Sequence, residues 1–133
     1  MKILMVEDNV SIVTVTRLVL EREGFVVRSS DDDGCFTIAE EWQPSIILMD
    51  VRLPRLDGVE ACMQLKLNPR TTHIPVVLMT ADQDGAELVQ LACADGLLAK
   101  PFSNKVLVET VKRTGGLQAG MDGSEVPPGS SGS

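Results

Sequence analysis

Residues 45–58 have the sequence Ser-Ile-Ile-Leu-Met-Asp-Val-Arg-Leu-Pro-Arg-Leu-Asp-Gly. Four consecutive apolar residues, two of them β-branched, lead directly into Asp50, and Pro54 and Gly58 prevent the strand from continuing. A run that is apolar on both faces is typical of a central parallel strand covered by helices. We therefore expect Asp50 at the carboxyl edge of a sheet, where open α/β folds keep their binding sites.

The size and charge of the chain limit the classes of protein to which it can belong. With 133 residues, of which 44% are hydrophobic, it has room for one packed domain. Its formal net charge of -7 argues against binding nucleic acid or an anionic membrane surface, because both need a concentrated basic face. Only four apolar residues lie between Lys2 and Glu7, too few for a signal peptide or a membrane span. We therefore expect a cytoplasmic protein.

Several residues that could be reactive have simpler explanations. Cys35, Cys62 and Cys93 are an odd number at wide spacing, which fits neither a disulfide framework nor a zinc site. We expect each to be a reduced, half-buried helix residue. His73 is expected to be a solvated loop residue, and the run of three aspartates at 31–33 is expected to cap the helix that follows it.

Five short apolar strands alternate with five helices along the chain. The strands are predicted at residues 2–6, 25–28, 46–50, 74–79 and 96–99. At such short spacing, strand–helix units form a parallel sheet with right-handed crossovers and helices on both faces. The predicted fold class is therefore α/β, an open doubly wound sandwich.

The folded domain is predicted to span residues 1–114. Asn9 and Ser103 are predicted to cap the first and last helices, and Gly115-Gly116 is predicted to end the last one. Residues 115–133 are rich in Gly, Ser and Pro and have no periodicity, so we expect a disordered linker or vector-derived tail.

Four of the five predicted strands end in side chains with chemical capacity. Glu7 and Asp8 follow the first strand, Asp50 ends the third, Thr80 the fourth and Lys100 the fifth. Parallel strands bring these ends to one edge of the sheet, where neighbouring carboxylates are tolerated if a divalent cation lies between them. Oxygen ligands without Cys or His indicate Mg²⁺.

This set of groups is suited to phosphoryl transfer. Asp50 would be the nucleophile that forms an acyl phosphate. Asp8, supported by Glu7, would hold Mg²⁺, and Lys100 would neutralise charge on the phosphoryl oxygens. The Thr80 hydroxyl would donate a hydrogen bond to one of those oxygens. The chain has no Gly-rich phosphate loop, which disfavours a nucleotide site.

Five short motifs in this order resemble the receiver domain of two-component response regulators. They are Glu7-Asp8, Asp50 with Leu53-Pro54 and Asp57-Gly58, Thr80-Ala81, and Lys100-Pro101-Phe102. The resemblance extends over residues 2 to about 114 and implies a flavodoxin-like (βα)5 fold with strand order 2-1-3-4-5. It also implies that Asp50 accepts a phosphoryl group from a histidine kinase or phosphotransfer protein.

The resemblance carries further implications for the site and for the output of the domain. Mg²⁺ would be required, and the main-chain carbonyl of Arg52 would contact it. Phosphorylation would shift the face formed by the fourth helix, fifth strand and fifth helix. That face would bind a downstream protein or effector domain, and the same analogy allows a homodimer through it.

Two features depart from the family pattern. Leu97 stands three residues before Lys100, where the family commonly has a Tyr or Phe ring that swings inward on activation. The segment between Thr80 and Lys100 is also a residue or two shorter than is common in the family. We therefore expect the output face to respond differently, or weakly, to phosphorylation.

Three classes of function are compatible with these residues. A phosphoacceptor signalling module accounts for all of the polar strand ends together. A receiver-like docking module that no longer uses phosphorylation as its switch is the alternative, and Leu97 favours it. A phosphohydrolase would usually need a second acid two residues after the nucleophile, where this chain has Arg52, so no turnover of an external substrate is expected.

The sequence leaves the context of the domain open. We expect no effector domain after residue 114, so the chain is either a single-domain regulator or a receiver excised from a longer protein. The kinase and the output pathway are likewise not indicated by any motif.

Overall fold

Each apolar run predicted to be a strand forms one, and a helix separates each of these strands from the next. The structure is a computed structural model that describes residues 1–81, 83 and 85–121. The elements in this part of the chain are β1 (Lys2–Val6), α1 (Val10–Arg22), β2 (Val26–Ser30), α2 (Gly34–Trp42), β3 (Ile46–Asp50), β4 (Arg52–Leu53), β5 (Leu56–Asp57), α3 (Gly58–Leu67), β6 (Val76–Thr80), α4 (Gly85–Ala92), β7 (Gly96–Ala99) and α5 (Asn104–Met121).

Five of the strands form one parallel sheet in the order β2-β1-β3-β6-β7. Counted as five strands, this is the predicted order 2-1-3-4-5, so the doubly wound, flavodoxin-like fold is confirmed. Val6 of β1 lies opposite Met49 of β3, and Asp50 lies opposite Met79 of β6. The carboxyl ends of β1, β3, β6 and β7 therefore meet at one edge of the sheet.

The central strand β3 is apolar at four successive positions because both of its faces are covered. Successive side chains of a strand point to opposite faces of the sheet. Ile47 and Met49 pack in a buried cluster with residues of α2, α3 and α4. Ile46 and Leu48 pack in a second cluster with residues of α1 and α5. All four side chains are fully buried, which explains the absence of the alternation seen in half-exposed strands.

Side chains at the helix starts accept hydrogen bonds from free backbone amides. The side chains of Asn9, Asp57 and Ser103 do so at the starts of α1, α3 and α5, at 3.0, 2.9 and 3.1 Å. The prediction that the aspartate run caps α2 is only partly correct: the N-cap residue Asp33 makes no side-chain capping hydrogen bond, but Asp32 accepts from the amide of Gly34 at 2.9 Å.

The last helix is longer than the sequence predicted. The expected end at Gly115-Gly116 is wrong, since α5 runs to Met121. Gly115 lies against the N-terminus of the chain: a Cβ atom there would be 2.9 Å from the Met1 sulfur. That glycine therefore serves helix packing, and its helix penalty of about 1 kcal/mol does not stop the helix. Residues 122–133 of the predicted disordered tail lie outside the described residues.

The three cysteines differ from one another. Cys35 and Cys62 are fully buried helix residues, and burial raises the pKa of each thiol to about 12. The prediction for Cys93 is wrong: it is exposed and follows the end of α4, with a backbone φ of 59°. His73 is exposed, as predicted, with Nε2 2.7 Å from the side-chain oxygen of Gln43.

None of the helices in the described part of the chain combines the length and the apolar character that a membrane span needs.

Candidate functional site

The polar strand ends predicted from the sequence are brought together at the carboxyl edge of the sheet. Glu7 follows β1, Asp50 ends β3, Thr80 ends β6 and Lys100 follows β7. The sheet hydrogen bonds continue to this edge, where the amide of Val51 donates to Met79 and the amide of Lys100 donates to Thr80, at 3.0 and 2.8 Å. The positions of these side chains are therefore determined by the parallel register of the strands.

Three carboxylates form the centre of the site. Glu7, Asp8 and Asp50 each present an oxygen, and these atoms all lie within 4.8 Å of one another. Glu7 and Asp50 are 3% and 6% exposed, whereas Asp8 is exposed to solvent. Like charges this close are favoured only if a cation lies near them. Clustered oxygen donors are the ligands that Mg²⁺ prefers, so the residues fit that ion.

Lys100 supplies the cation in this structure. Its Nζ atom lies 3.0 Å from Glu7 Oε1 and 3.3 Å from Asp50 Oδ2. Burial is the largest single influence on its pKa and lowers it, but the hydrogen bonds and charges of Glu7 and Asp50 together outweigh burial. The pKa of Lys100 is therefore raised, and the ammonium group stays charged.

Glu7 is held in one orientation by two donors. Lys100 donates to one of its oxygens, and the backbone amide of Asn9 donates to the other at 3.2 Å. Burial raises the pKa of Glu7, the hydrogen bonds from Lys100 and Asn9 oppose that rise, and the neighbouring Asp50 adds to it. The net effect is a raised pKa. Asp8 stands at the exposed side of the cluster.

The segment after Asp50 folds back in a small antiparallel hairpin that the sequence interpretation missed. Strands β4 and β5 pair Arg52 with Asp57 and Leu53 with Leu56. The amide of Arg52 donates to Asp50 Oδ1 at 3.2 Å, so the hairpin begins on the candidate acceptor itself. Pro54, in the turn of the hairpin, was the available signal, but it predicted only the end of a strand.

Leu97 lies in β7 and packs with the buried cluster on the α2, α3 and α4 side of the sheet. A Cβ atom on Gly85, in the first turn of α4, would be 2.8 Å from a Leu97 methyl carbon and 3.4 Å from the Thr80 methyl carbon. Thr80 is 3% exposed. Gly85 in the first turn of α4 therefore lies against both the Leu97 and the Thr80 side chains, and nothing in the sequence indicated this role of Gly85.

An open, largely apolar groove of about 460 Å³ borders the site between α1 and the start of α5. Ile12 and Val15 line one side, Phe102 and Leu107 the other, and Lys100 lies at the end nearest the carboxylates.

The three carboxylates and Lys100 all lie in a part of the chain that matches the model of a known protein family. Residues 3–112 match the model of the response regulator receiver domain. The chain belongs to this family. It is 39% identical over 114 residues to the alkaline phosphatase synthesis transcriptional regulatory protein PhoP of Bacillus subtilis (strain 168), covering 84% of this chain and 47% of that protein. It is 35% identical over 114 residues to the phosphate regulon transcriptional regulatory protein PhoB of Rhizobium meliloti (strain 1021), covering 84% and 50%.

Solved receiver structures share the fold. A putative response regulator from Chloroflexus aurantiacus superposes with a TM-score of 0.82 at 28% identity, covering 86% of this chain and 97% of that one. The receiver domain of the sensor histidine kinase PA1611 from Pseudomonas aeruginosa PAO1 has a TM-score of 0.79 at 33% identity, with the same coverage. That structure is described as having a magnesium ion coordinated in the active site cleft.

The protein is therefore a receiver domain of two-component response regulators, and the phosphorylation switch is favoured over the docking-module alternative. The chain spans about half the length of the curated relatives that it matches. Both of those relatives, PhoP and PhoB, are named as transcriptional regulatory proteins. A further relative, MtrA of Mycobacterium leprae, is described as DNA-binding. We expect only that this receiver chain itself does not contact nucleic acid, and the expectation does not extend to its full-length relatives.

Proposed function

We propose that Asp50 accepts a phosphoryl group from a histidine kinase or phosphotransfer protein in a reaction that requires Mg²⁺. The observation that carries the proposal is the contact of one ammonium group, Lys100 Nζ, with both Asp50 and Glu7 inside a cluster of three carboxylates. We place this reaction in the cytoplasm and the receiver unit in residues 1–114, with α5 continuing beyond it.

The charge of the cluster supports a divalent cation. Three carboxylates and one ammonium group leave a net local charge of about -2 if all are ionised. Asp8, Asp50 and the main-chain carbonyl of Arg52 would hold Mg²⁺, and Glu7 would support them. When bound, the ion supplies charge neutralisation for the phosphoryl oxygens.

The acceptor is poised for attack on phosphorus. Lys100 Nζ lies 3.3 Å from Asp50 Oδ2 and the Arg52 amide donates to Asp50 Oδ1, so the two groups hold the carboxylate that acts as the nucleophile in one orientation. A carboxylate oxygen forms the new O–P bond while the P–N bond of a phosphohistidine breaks, and the imidazole keeps the electron pair. Lys100 and the Thr80 hydroxyl then contact the phosphoryl oxygens. The domain thus catalyses its own phosphorylation and has no external product.

The acyl phosphate would act on the neighbouring helix. It adds up to about two negative charges beside Lys100 and Thr80. The side chains of Thr80 and Leu97 both lie against Gly85 in the first turn of α4. We propose that this contact shifts the face formed by α4, β7 and α5, which would bind a downstream protein, an effector domain or a second copy of the chain.

The test is incubation with acetyl phosphate and Mg²⁺, followed by intact mass measurement. We expect the mass to increase by one phosphoryl group, and we expect no increase with Asp50→Asn or with a chelator. No adduct on the wild type would favour the docking module. Rapid multiple turnover of a phosphomonoester would instead indicate a hydrolase, and labelling that persists in Asp50→Asn would contradict the assignment of the acceptor.

A further inference from the structure

Gly58, the first residue of α3, lies against the backbone of the candidate acceptor. A Cβ atom at this position would be 2.0 Å from the Asp50 carbonyl oxygen and 2.8 Å from Val51 Cα. Real Cβ atoms do not approach other heavy atoms closer than 3.0 Å, so the backbone would have to move by about 1 Å. Every atom in the way belongs to the main chain, and no side-chain rotation relieves the overlap.

The reason for this glycine is space and not backbone conformation. Among the described glycines, only Gly24 has a positive φ, of 91°. Gly58 therefore adopts a conformation open to any residue, and what it permits is the close approach of α3 to the end of β3.

The close approach locks the segment that carries Arg52. The Gly58 amide donates to the Val51 carbonyl at 3.0 Å, and the Val51 amide donates to Met79 in β6 at 3.0 Å. Val51 is thus hydrogen-bonded to β6 of the sheet through its amide and to α3 through its carbonyl. Arg52 follows it directly, pairs with Asp57 in the hairpin, and donates its amide to Asp50.

We infer that Gly58 is a positioning residue for the divalent-cation site. By allowing α3 to approach β3 closely, Gly58 sets the Arg52 carbonyl and the Asp50 carboxylate at the separation that Mg²⁺ needs. The inference rests on the proposed function, in which these two groups bind the ion. Mg²⁺ demands near-octahedral ligands at about 2.0–2.1 Å, whereas Ca²⁺ accepts irregular shells at about 2.3–2.6 Å. A backbone shift at Gly58 should therefore harm Mg²⁺ binding more than Ca²⁺ binding.

The experiment compares Gly58→Ala with Gly116→Ala, since a Cβ atom on Gly116 would meet nothing within 4 Å. Affinities for Mg²⁺ and for Ca²⁺ are measured by calorimetry on variants shown to be folded by circular dichroism. We expect Gly58→Ala to weaken Mg²⁺ binding by at least about tenfold, since ligand shifts near 1 Å are costly, and to weaken Ca²⁺ binding several-fold less. Gly116→Ala should leave both affinities unchanged.

A general loss of stability would not change the ratio of the two affinities, so an unchanged ratio in folded Gly58→Ala overturns the inference. If that variant does not fold, amide resonances of the wild type are followed during titration with Mg²⁺. The Gly58 resonance should shift and the Gly116 resonance should not; a stationary Gly58 resonance overturns the inference. A wild type that binds neither ion overturns the proposed metal site itself, which separates the two failures.

Discussion

Glu7 is the residue on which the charge balance of the metal-free site depends. It is almost fully buried, its two oxygens accept from Lys100 and the Asn9 amide, and its pKa is raised above 4.5 chiefly by burial. A carboxyl group whose pKa is raised on folding holds its proton more tightly in the folded chain than in the unfolded one. Its contribution to stability is therefore present below pH 4.5 and is lost as the pH rises through the folded pKa.

Replacing Glu7 with Gln should remove this pH dependence. In the absence of Mg²⁺, we expect the free energy of unfolding of the wild type to fall relative to that of Glu7→Gln as the pH rises from 4.5 towards neutrality. Urea denaturation across that range measures the difference. Glu109→Gln, the same change on the exposed surface of α5, corrects for the loss of a negative charge. Parallel pH profiles for wild type and Glu7→Gln would contradict the prediction.

At the level of elements, the parts that sequence reasoning predicted are those determined locally. An apolar run that ends in a polar residue defines both a buried strand and the side chain at its end, so the sequence was sufficient to place Asp50 and Lys100 at one edge of the sheet. The extension of α5 past Gly115 could not be predicted, because it depends on packing against Met1 at the far end of the sequence. The contact of Gly85 with Leu97 could not be predicted either, because it depends on how α4 packs against β7.

The contact between α4 and β7 leads to a prediction about the switch. Leu97 packs against Gly85, which also lies beside Thr80, and Leu97 lacks the ring that the family commonly has at this position. We expect Leu97→Phe to give larger amide shifts in α4 and β7 than the wild type when Asp50 is occupied by beryllofluoride, a phosphoryl mimic. Two-dimensional NMR measures these shifts.

The control for this prediction is Leu91→Phe, which adds a ring to the exposed surface of α4. It should leave the response to the mimic as in the wild type. If wild type and Leu97→Phe respond equally, the aliphatic residue transmits the signal as well as a ring does, and our expectation of a weak output is wrong.

At the level of the whole molecule, the site lies between two surfaces. One is the face of α4, β7 and α5, and the other is the apolar groove between α1 and the start of α5, which Lys100 helps to line. A protein donor must bring its phosphohistidine to Asp50 and cover some of the surrounding surface, whereas a small phosphodonor needs only the site. The groove opens next to Lys100 and presents Val15, which is 56% exposed, on its α1 side.

The groove can therefore be tested by comparing the two kinds of donor. The protein donor is a phosphorylated histidine phosphotransfer protein that labels the wild type. We expect Val15→Glu to slow phosphotransfer from this donor by about tenfold or more, since the substitution places a charge in an apolar contact. Labelling by acetyl phosphate should be unchanged, because Val15 is not among the carboxylate and lysine groups of the site. Leu67→Glu, on an 81% exposed residue of α3 that does not line this groove, should affect neither rate. Equal slowing with both donors would mean that Val15→Glu disturbs the site itself, and no slowing with the protein donor would exclude the groove as its contact surface.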